Sequence, residues 1–243
     1  MSKLGTYLSG APIAITDKIY FYQPTLQQIM EVGEATYWSL LKIWDLSKEE
    51  MMGEKASLAA NLTDFDVWTA YNFGVDDFRF RVIQSVDLFL HTKIEFLPIS
   101  NTIMIGEGDS LILLESDLYE KLQGIIKGLM DIISAPKEDE QYRETDQMSE
   151  REKQLVAKMK KSAERLERIK NGDKQNEDRL VKQIVSLVAI GHYTFDEVYK
   201  MTLIQMIVLL KKYAEIQQYE LITALSPYMD SKKGQGVKHW LDT

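Results

Sequence analysis

The sequence predicts a mainly α protein with a small antiparallel β element: an α+β N-terminal domain followed by a C-terminal helical bundle. Three observations predict it. Apolar residues recur every three or four positions through most of the 243-residue chain, the spacing that places them on one side of a helix. Ser or Thr precedes Glu or Gln by three positions at several of the points where such a pattern begins, the signature of a helix start. Between Ile94 and Leu114 the period changes to short apolar runs separated by turn residues, which reads as strands.

The segment Met1 to Ile15 holds Gly5, Gly10 and Pro12 among small and polar residues, and is expected to be a tail with little packing. Ile19 to Tyr22 is a short β-prone run. Pro24 stops it, and Thr25 with Gln28 opens a helix expected to reach Ile43 across Gly33. Ser47 with Glu50 opens the next. Thr63 precedes a helix through Val67, Trp68 and Tyr71 that Gly74 ends, and Asp76 and Asp77 lead into another through Val82, Val86 and Leu90. Three apolar runs follow at Ile94 to Leu97, Ile103 to Ile105 and Leu111 to Leu114, with Gly106-Glu107-Gly108-Asp109 as a hairpin loop. Helical spacing returns from Glu115 to Ile133 through Leu118, Leu122, Ile126 and Leu129, closing the N-terminal domain at residue 134.

Residues 135–148 are almost all charged or polar and read as a linker. A helical domain is expected over 149–230. Ser149 with Glu152 starts a helix whose apolar stripe is narrow: Leu155, Met159, Ala163, Leu166 and Ile169, ended by Asn171-Gly172-Asp173. A second helix runs from Leu180 to Gly191. Thr194 with Glu197 starts a short third helix, and Thr202 with Gln205 a long fourth that Pro227 ends. Residues 231–243 read as a flexible C-terminal tail with Trp240 as a docking point.

Composition narrows the function. The 45% hydrophobic content is enough for a core. A formal charge of −8 disfavours nucleic acid and anionic lipid as partners. There is no cysteine, which removes disulfides and thiolate chemistry together. The N-terminus lacks a signal-peptide pattern, and the apolar runs are too short to span a bilayer, so a cytoplasmic protein is expected.

No residue pattern points to catalysis. His91, His192 and His239 are far apart and lack partners at metal-binding spacing. Asp64 with Asp66, and Asp76 with Asp77, sit where helices begin, and helix capping explains them. Gly106-Glu107-Gly108 is too short for a phosphate-binding loop. Neither Gly-x-Ser-x-Gly nor His-Glu-x-x-His occurs. The basic stretch Lys153 to Lys174 is interleaved with Glu164 and Glu167 and has no aromatic residue, which fits a solvated face better than a nucleic-acid site. No catalytic, cofactor-binding or metal residue is therefore assigned. The stripe of Leu155, Met159, Leu166 and Ile169 either packs within the bundle or makes a helix-in-groove contact, and these residues with Trp240 are the candidates for contact with a protein partner. The aromatic residues Trp38, Trp44, Trp68, Tyr37 and Tyr71 read as core in preference to interface.

Two segments carry a resemblance. The run from Ile19 to Glu34, IYFYQPTLQQIMEVGE, resembles the opening of proteins encoded by phages and prophages of Gram-positive bacteria. The run from Gly191 to Met206, GHYTFDEVYKMTLIQM, is similar to the C-terminal helical part of phage tail assembly chaperones, where a short helix ends in a Met-Thr step before a longer one. This resemblance implies a non-catalytic assembly chaperone in the host cytoplasm. Its expected partners are the tape-measure protein, whose apolar helices it keeps soluble, and the tail-tube subunits that it recruits. It also implies no cofactor and no catalytic residue. Some members exist as a short form and a frameshifted long form, and residues 134–148 are where such a junction would fall. The alternative is a structural subunit retained in a phage tail or connector. Self-association is left open.

Overall fold

The computed structural model describes residues 3–134 and 179–225. The 155–169 stripe, the Ser149–Glu152 helix start, Pro227, His239 and Trp240 lie outside them.

Ten helices and five short strands occur among the described residues. In order they are α1 (Lys3–Leu8), β1 (Ile13–Ala14), β2 (Tyr20–Phe21), α2 (Leu26–Val32), α3 (Glu34–Lys42) and α4 (Lys48–Met52). A 3-10 turn at Gly53–Ala59 leads to α5 (Asp64–Gly74) and α6 (Asp76–Leu90). Then come β3 (Ile94–Leu97), β4 (Thr102–Ile105), β5 (Ile112–Leu113) and α7 (Ser116–Ser134). The described C-terminal part holds α8 (Arg179–Gly191), α9 (Phe195–Tyr199) and α10 (Leu203–Leu225). The architecture is mainly helical with small antiparallel sheets, as the sequence predicts.

Helix starts follow the local chemistry. The Thr25–Gln28, Ser47–Glu50 and Thr194–Glu197 pairs each form a reciprocal capping box. Thr202 and Gln205 exchange the same two hydrogen bonds at the start of α10. Asp66 serves Thr63 in the same way, although the expected pattern has Glu or Gln there. Each box satisfies two backbone N–H groups that the first turn leaves without carbonyl partners.

Two expectations are corrected. The single helix from Thr25 to Ile43 is two helices. Gly33 adopts φ +92°, outside the helical region, and its N–H donates to Ile29 O as it ends α2. Glycine reaches that backbone state without a Cβ clash. The N-terminal tail is packed. Tyr7 of α1 is 7% exposed, and its hydroxyl donates to Ile125 O of α7 at 2.8 Å. Gly128 allows this approach, because a Cβ there would stand 2.5 Å from the Tyr7 hydroxyl oxygen.

Strands β3, β4 and β5 form one antiparallel sheet in sequence order, with Ile94 opposite Ile105 and Ile105 opposite Ile112. Alternation puts Ile94, Phe96, Ile103, Ile105 and Ile112 on the inward face. The Gly106–Asp109 segment turns between β4 and β5 as expected, with a 3-10 turn at Gly108–Ser110. Strands β1 and β2 form a separate two-stranded pair.

One buried apolar cluster joins the described N- and C-terminal helices. It includes Phe21, Leu26, Leu41, Trp44, Trp68, Val86, Leu122 and Ile126, and also Leu180, Ile184, Leu187, Val198, Ile204 and Met206. A β-bridge pairs Thr25 with Thr202, and Leu26 N donates to Met201 O at 2.8 Å. The two capping boxes that open α2 and α10 therefore sit side by side.

Candidate functional surfaces

The aromatic core takes up most of the large residues that could otherwise contact a partner. Trp44, Trp68 and Tyr37 are each at most 2% exposed. The indoles of Trp44 and Trp68 stack with centroids 5.0 Å apart. Trp68 Nε1 donates to Ile43 O at 3.0 Å. Trp44 Nε1 donates to Ser85 Oγ, which in turn donates to Leu40 O at 3.1 Å. These residues tie α3, α5 and α6 together. Trp38 and Tyr71 are half-buried. Burial pushes the Tyr37 hydroxyl well above its ordinary range.

The residues that could have signalled catalysis do structural work. Asp66 accepts from Thr63 N at 2.8 Å, and that hydrogen bond, with the one from the Thr63 hydroxyl, holds its carboxyl below the usual range. Asp64 Oδ1 accepts from Lys48 N at 2.9 Å. Asp76 and Asp77 form ion pairs with Arg79 and Arg81. His91 caps α6 in the left-handed conformation and stacks on Tyr22 at 4.3 Å. His192 follows Gly191 with φ +56°. Among the described residues, no group of three or more His, Asp and Glu is placed to hold a metal ion, and no helix is long and apolar enough to cross a membrane.

Exposed apolar side chains are spread over the described surface, among them Leu58, Phe80 and Ile83, and two faces carry several each. Helix α8 buries Leu180, Ile184 and Leu187 in the core. One residue further round, Val181 and Val185 are exposed, at 38% and 48%. They stand one turn apart on the same side of the helix. The apolar side of α8 is thus wider than the part the core covers. Its first turn is held where the N–H of Leu180 donates to Glu34 Oε2 at 3.3 Å. Exposed Met30 and Val32 of α2 lie just before Glu34 in the chain.

The second face is the outer side of the β3–β5 sheet. Leu97, Leu111 and Leu113 are exposed there, Met104 is half-buried, and Ile99 in the β3–β4 turn is fully exposed. Val181, Val185 and the outer sheet residues were not among the contact candidates read from the sequence. For α8 the signal was present: valines at positions i and i+4 beside a Leu180–Ile184–Leu187 stripe widen the apolar arc past what one packed neighbour covers.

The segments that carried the resemblance meet in space. Residues 19–34 contribute β2 and α2, residues 191–206 contribute α9 and the start of α10, and the Thr25–Thr202 bridge joins them. No family model, no curated protein and no solved structure matches the chain.

Proposed function

We propose that this chain is a non-catalytic assembly chaperone or adaptor that covers apolar helical surface on a partner protein. Following the resemblance in residues 19–34 and 191–206, the partner is a phage tape-measure protein, and the chaperone recruits tail-tube subunits in the host cytoplasm during tail assembly. The observation that carries the reading is the apolar strip of α8 left exposed among the described residues, Val181 and Val185, beside its buried Leu180–Ile184–Leu187 stripe. An amphipathic helix of a partner can lie along such a strip and bury apolar surface on both sides. The net charge of −8 supports the reading, since it would keep a complex with a greasy partner dispersed.

Co-expression with the tape-measure protein tests it. The wild-type chain should co-purify with that long helical protein and raise its soluble yield. Val185→Asp, which puts a charge on the strip without touching the buried stripe, should lower recovery severalfold while thermal unfolding stays unchanged. Equal recovery with the variant would remove α8 from the interface. Stoichiometric presence of the chain in purified particles would replace the chaperone with a structural subunit.

A further inference from the structure

Between the first turn of α5 and the exposed side of α7 lies an open groove of about 450 Å³, bordered by Asp64, Phe65, Tyr119, Glu120, Gly124 and Lys127. Tyr119 forms its inner wall. The residue is 1% exposed, and its hydroxyl oxygen is buried with no hydrogen-bond partner among the described residues. A phenol stripped of water and left unpaired costs about 1–3 kcal/mol. Gln23 Oε1, Thr69 Oγ1 and Asn72 Oδ1 share that state among the described residues. Tyr119 alone of the four lines this groove, where a shift of its ring would bring the hydroxyl within reach of a polar group from outside.

The surrounding charge selects the kind of group. Asp64 and Glu120 border the groove, and Asp45 pairs with Lys127 at 3.4 Å. Lys127 is therefore already neutralised, and the other two carboxylates are left to set the local sign. Each of them has one oxygen engaged: Asp64 accepts from Lys48 N, and Glu120 Oε1 accepts from the Ser116 hydroxyl at 3.1 Å. The second oxygen of each has no bond of this kind among the described residues. The rings of Phe65 and Tyr119 stand 5.4 Å apart at 46°, and aromatic faces attract cations. Burial first, then the charges of Asp64 and Asp45, push the Tyr119 hydroxyl well above its ordinary range. The phenol thus stays protonated, able to accept one hydrogen bond and donate another. Gly124 leaves one side open: a Cβ built there meets nothing within 4 Å.

We propose that this groove is a binding site for a guanidinium group, presented by an arginine side chain of a partner protein. Guanidinium is planar, carries five N–H donors, stacks on aromatic rings and bridges carboxylates in pairs. It would supply the hydrogen bond that the Tyr119 hydroxyl lacks while facing Asp64 and Glu120. An anion would meet net negative charge here, and an apolar side chain would leave the hydroxyl unpaired. The site lies on α5 and α7, shares no residue with the α8 strip, and stands whether or not the chaperone reading holds.

The test uses the full chain and Nα-acetyl-argininamide as probe, followed by backbone and tyrosine-ring NMR shifts. Saturable shifts centred on Asp64, Tyr119 and Gly124 are expected, with none from the neutral citrulline counterpart. Tyr119→Phe should weaken binding about tenfold, the value of one hydrogen bond to a charged group. Glu120→Lys, a change at an exposed position, should abolish it. Thermal unfolding of both variants establishes that they remain folded. Absence of saturable shifts up to the solubility limit of the probe, equal binding by Tyr119→Phe, or equal binding of the citrulline control would each overturn the proposal. Tighter binding of free agmatine than of the blocked arginine would overturn the assignment to a protein side chain.

Discussion

Two neighbouring parts of the same aromatic cluster treat their polar atoms in opposite ways. At the α3–α6 side, the Trp44 and Trp68 indole N–H groups both find acceptors, and Ser85 relays one of them to Leu40 O. At the α7 side, Tyr119 packs 5.3 Å from Trp68, ring centre to ring centre, yet its hydroxyl has no partner among the described residues. Burial is alike: Trp44, Trp68 and Tyr119 are all at most 1% exposed. The difference lies in what borders them. The tryptophan N–H groups are enclosed by helices, where an unmet donor is costly, and both are met, although Thr69 Oγ1 and Asn72 Oδ1 on α5 are buried without a partner among the described residues. Tyr119 lies against a groove, where a group from outside can complete the bonding. A closed polar network argues for stability, and an open one at a groove wall argues for recognition.

The comparison breaks most readily at its sealed end. Trp68→Ala should cost about 3–5 kcal/mol, the range for deleting a large buried aromatic. Chemical denaturation followed by far-UV circular dichroism would report it. A loss near zero would mean that the stack with Trp44 and the Ile43 hydrogen bond are not part of the folded state. Ser85→Ala comes next. It removes little volume but leaves Trp44 Nε1 without its acceptor, so the expected loss is about 1–3 kcal/mol, from the penalty for an unsatisfied buried donor. If Ser85→Ala is neutral, the Trp44 N–H is tolerated unpaired as the Tyr119 hydroxyl is, and the contrast between them fails.

How much of this was legible in the sequence follows from the range of each interaction. The capping boxes at Thr25, Ser47, Thr194 and Thr202 were legible because donor and acceptor are three residues apart. The break at Gly33 was not, because a glycine inside a helical pattern is compatible with either outcome until the packing of both flanking segments is fixed. The packing of α1 was not legible either. Its anchor is a hydrogen bond from Tyr7 to a carbonyl 118 residues away, made possible by a missing Cβ at Gly128. Tyr119 was passed over for a similar reason. It falls within the α7 stripe of Leu118, Leu122 and Ile126, where an aromatic reads as core, and only the position of the α5 start beside it creates the groove. Val181 and Val185 were visible as apolar residues, but their exposure depends on which side of α8 the rest of the molecule covers. The contact candidates Leu155, Met159, Leu166, Ile169 and Trp240 lie outside the described residues.

A smaller effect sharpens the comparison through charge. Thr63→Ala removes the cap of α5, the helix whose first turn borders the groove, and should cost about 1 kcal/mol. The pH dependence adds a sign. Asp66 has its carboxyl lowered by the Thr63 backbone and hydroxyl hydrogen bonds, and Glu197 is held low by the same groups of Thr194. A carboxyl whose folded pKa is depressed stabilises the fold above its unfolded pKa. That contribution is lost as pH falls from the ordinary carboxylate range through the lowered folded value. The cap contribution in α5 should therefore shrink in acid, and the stability gap between wild type and Thr63→Ala should narrow below about pH 4. A gap that stays constant into acid would mean that Asp66 is not the partner that gives the cap its strength.

The smallest expected change is the most informative. Tyr119→Phe deletes one oxygen from a buried side chain and leaves the ring contacts with Phe65 and Trp68 in place. If the hydroxyl bonded within the fold, as the Trp44 N–H does, the variant would lose about 1 kcal/mol. Because it has no such partner among the described residues, the variant should match the wild type within about 0.5 kcal/mol or exceed it, since the cost of holding an unpaired phenol in the interior disappears. Alkaline behaviour gives a second reading of the same atom. Burial raises the folded pKa by penalising the ionised phenolate, so stability is unaffected below the unfolded pKa of about 10 and falls as pH rises from there through the folded value. Tyr119→Phe should therefore flatten part of the alkaline loss of stability that Tyr37 and Tyr119 share. A variant equal or superior in stability, flatter in alkali and weaker toward the arginine probe would place the Tyr119 hydroxyl outside the economy of folding. It would then be retained for what enters the groove, while the Trp44–Ser85–Leu40 relay a few ångströms away is retained for the fold itself.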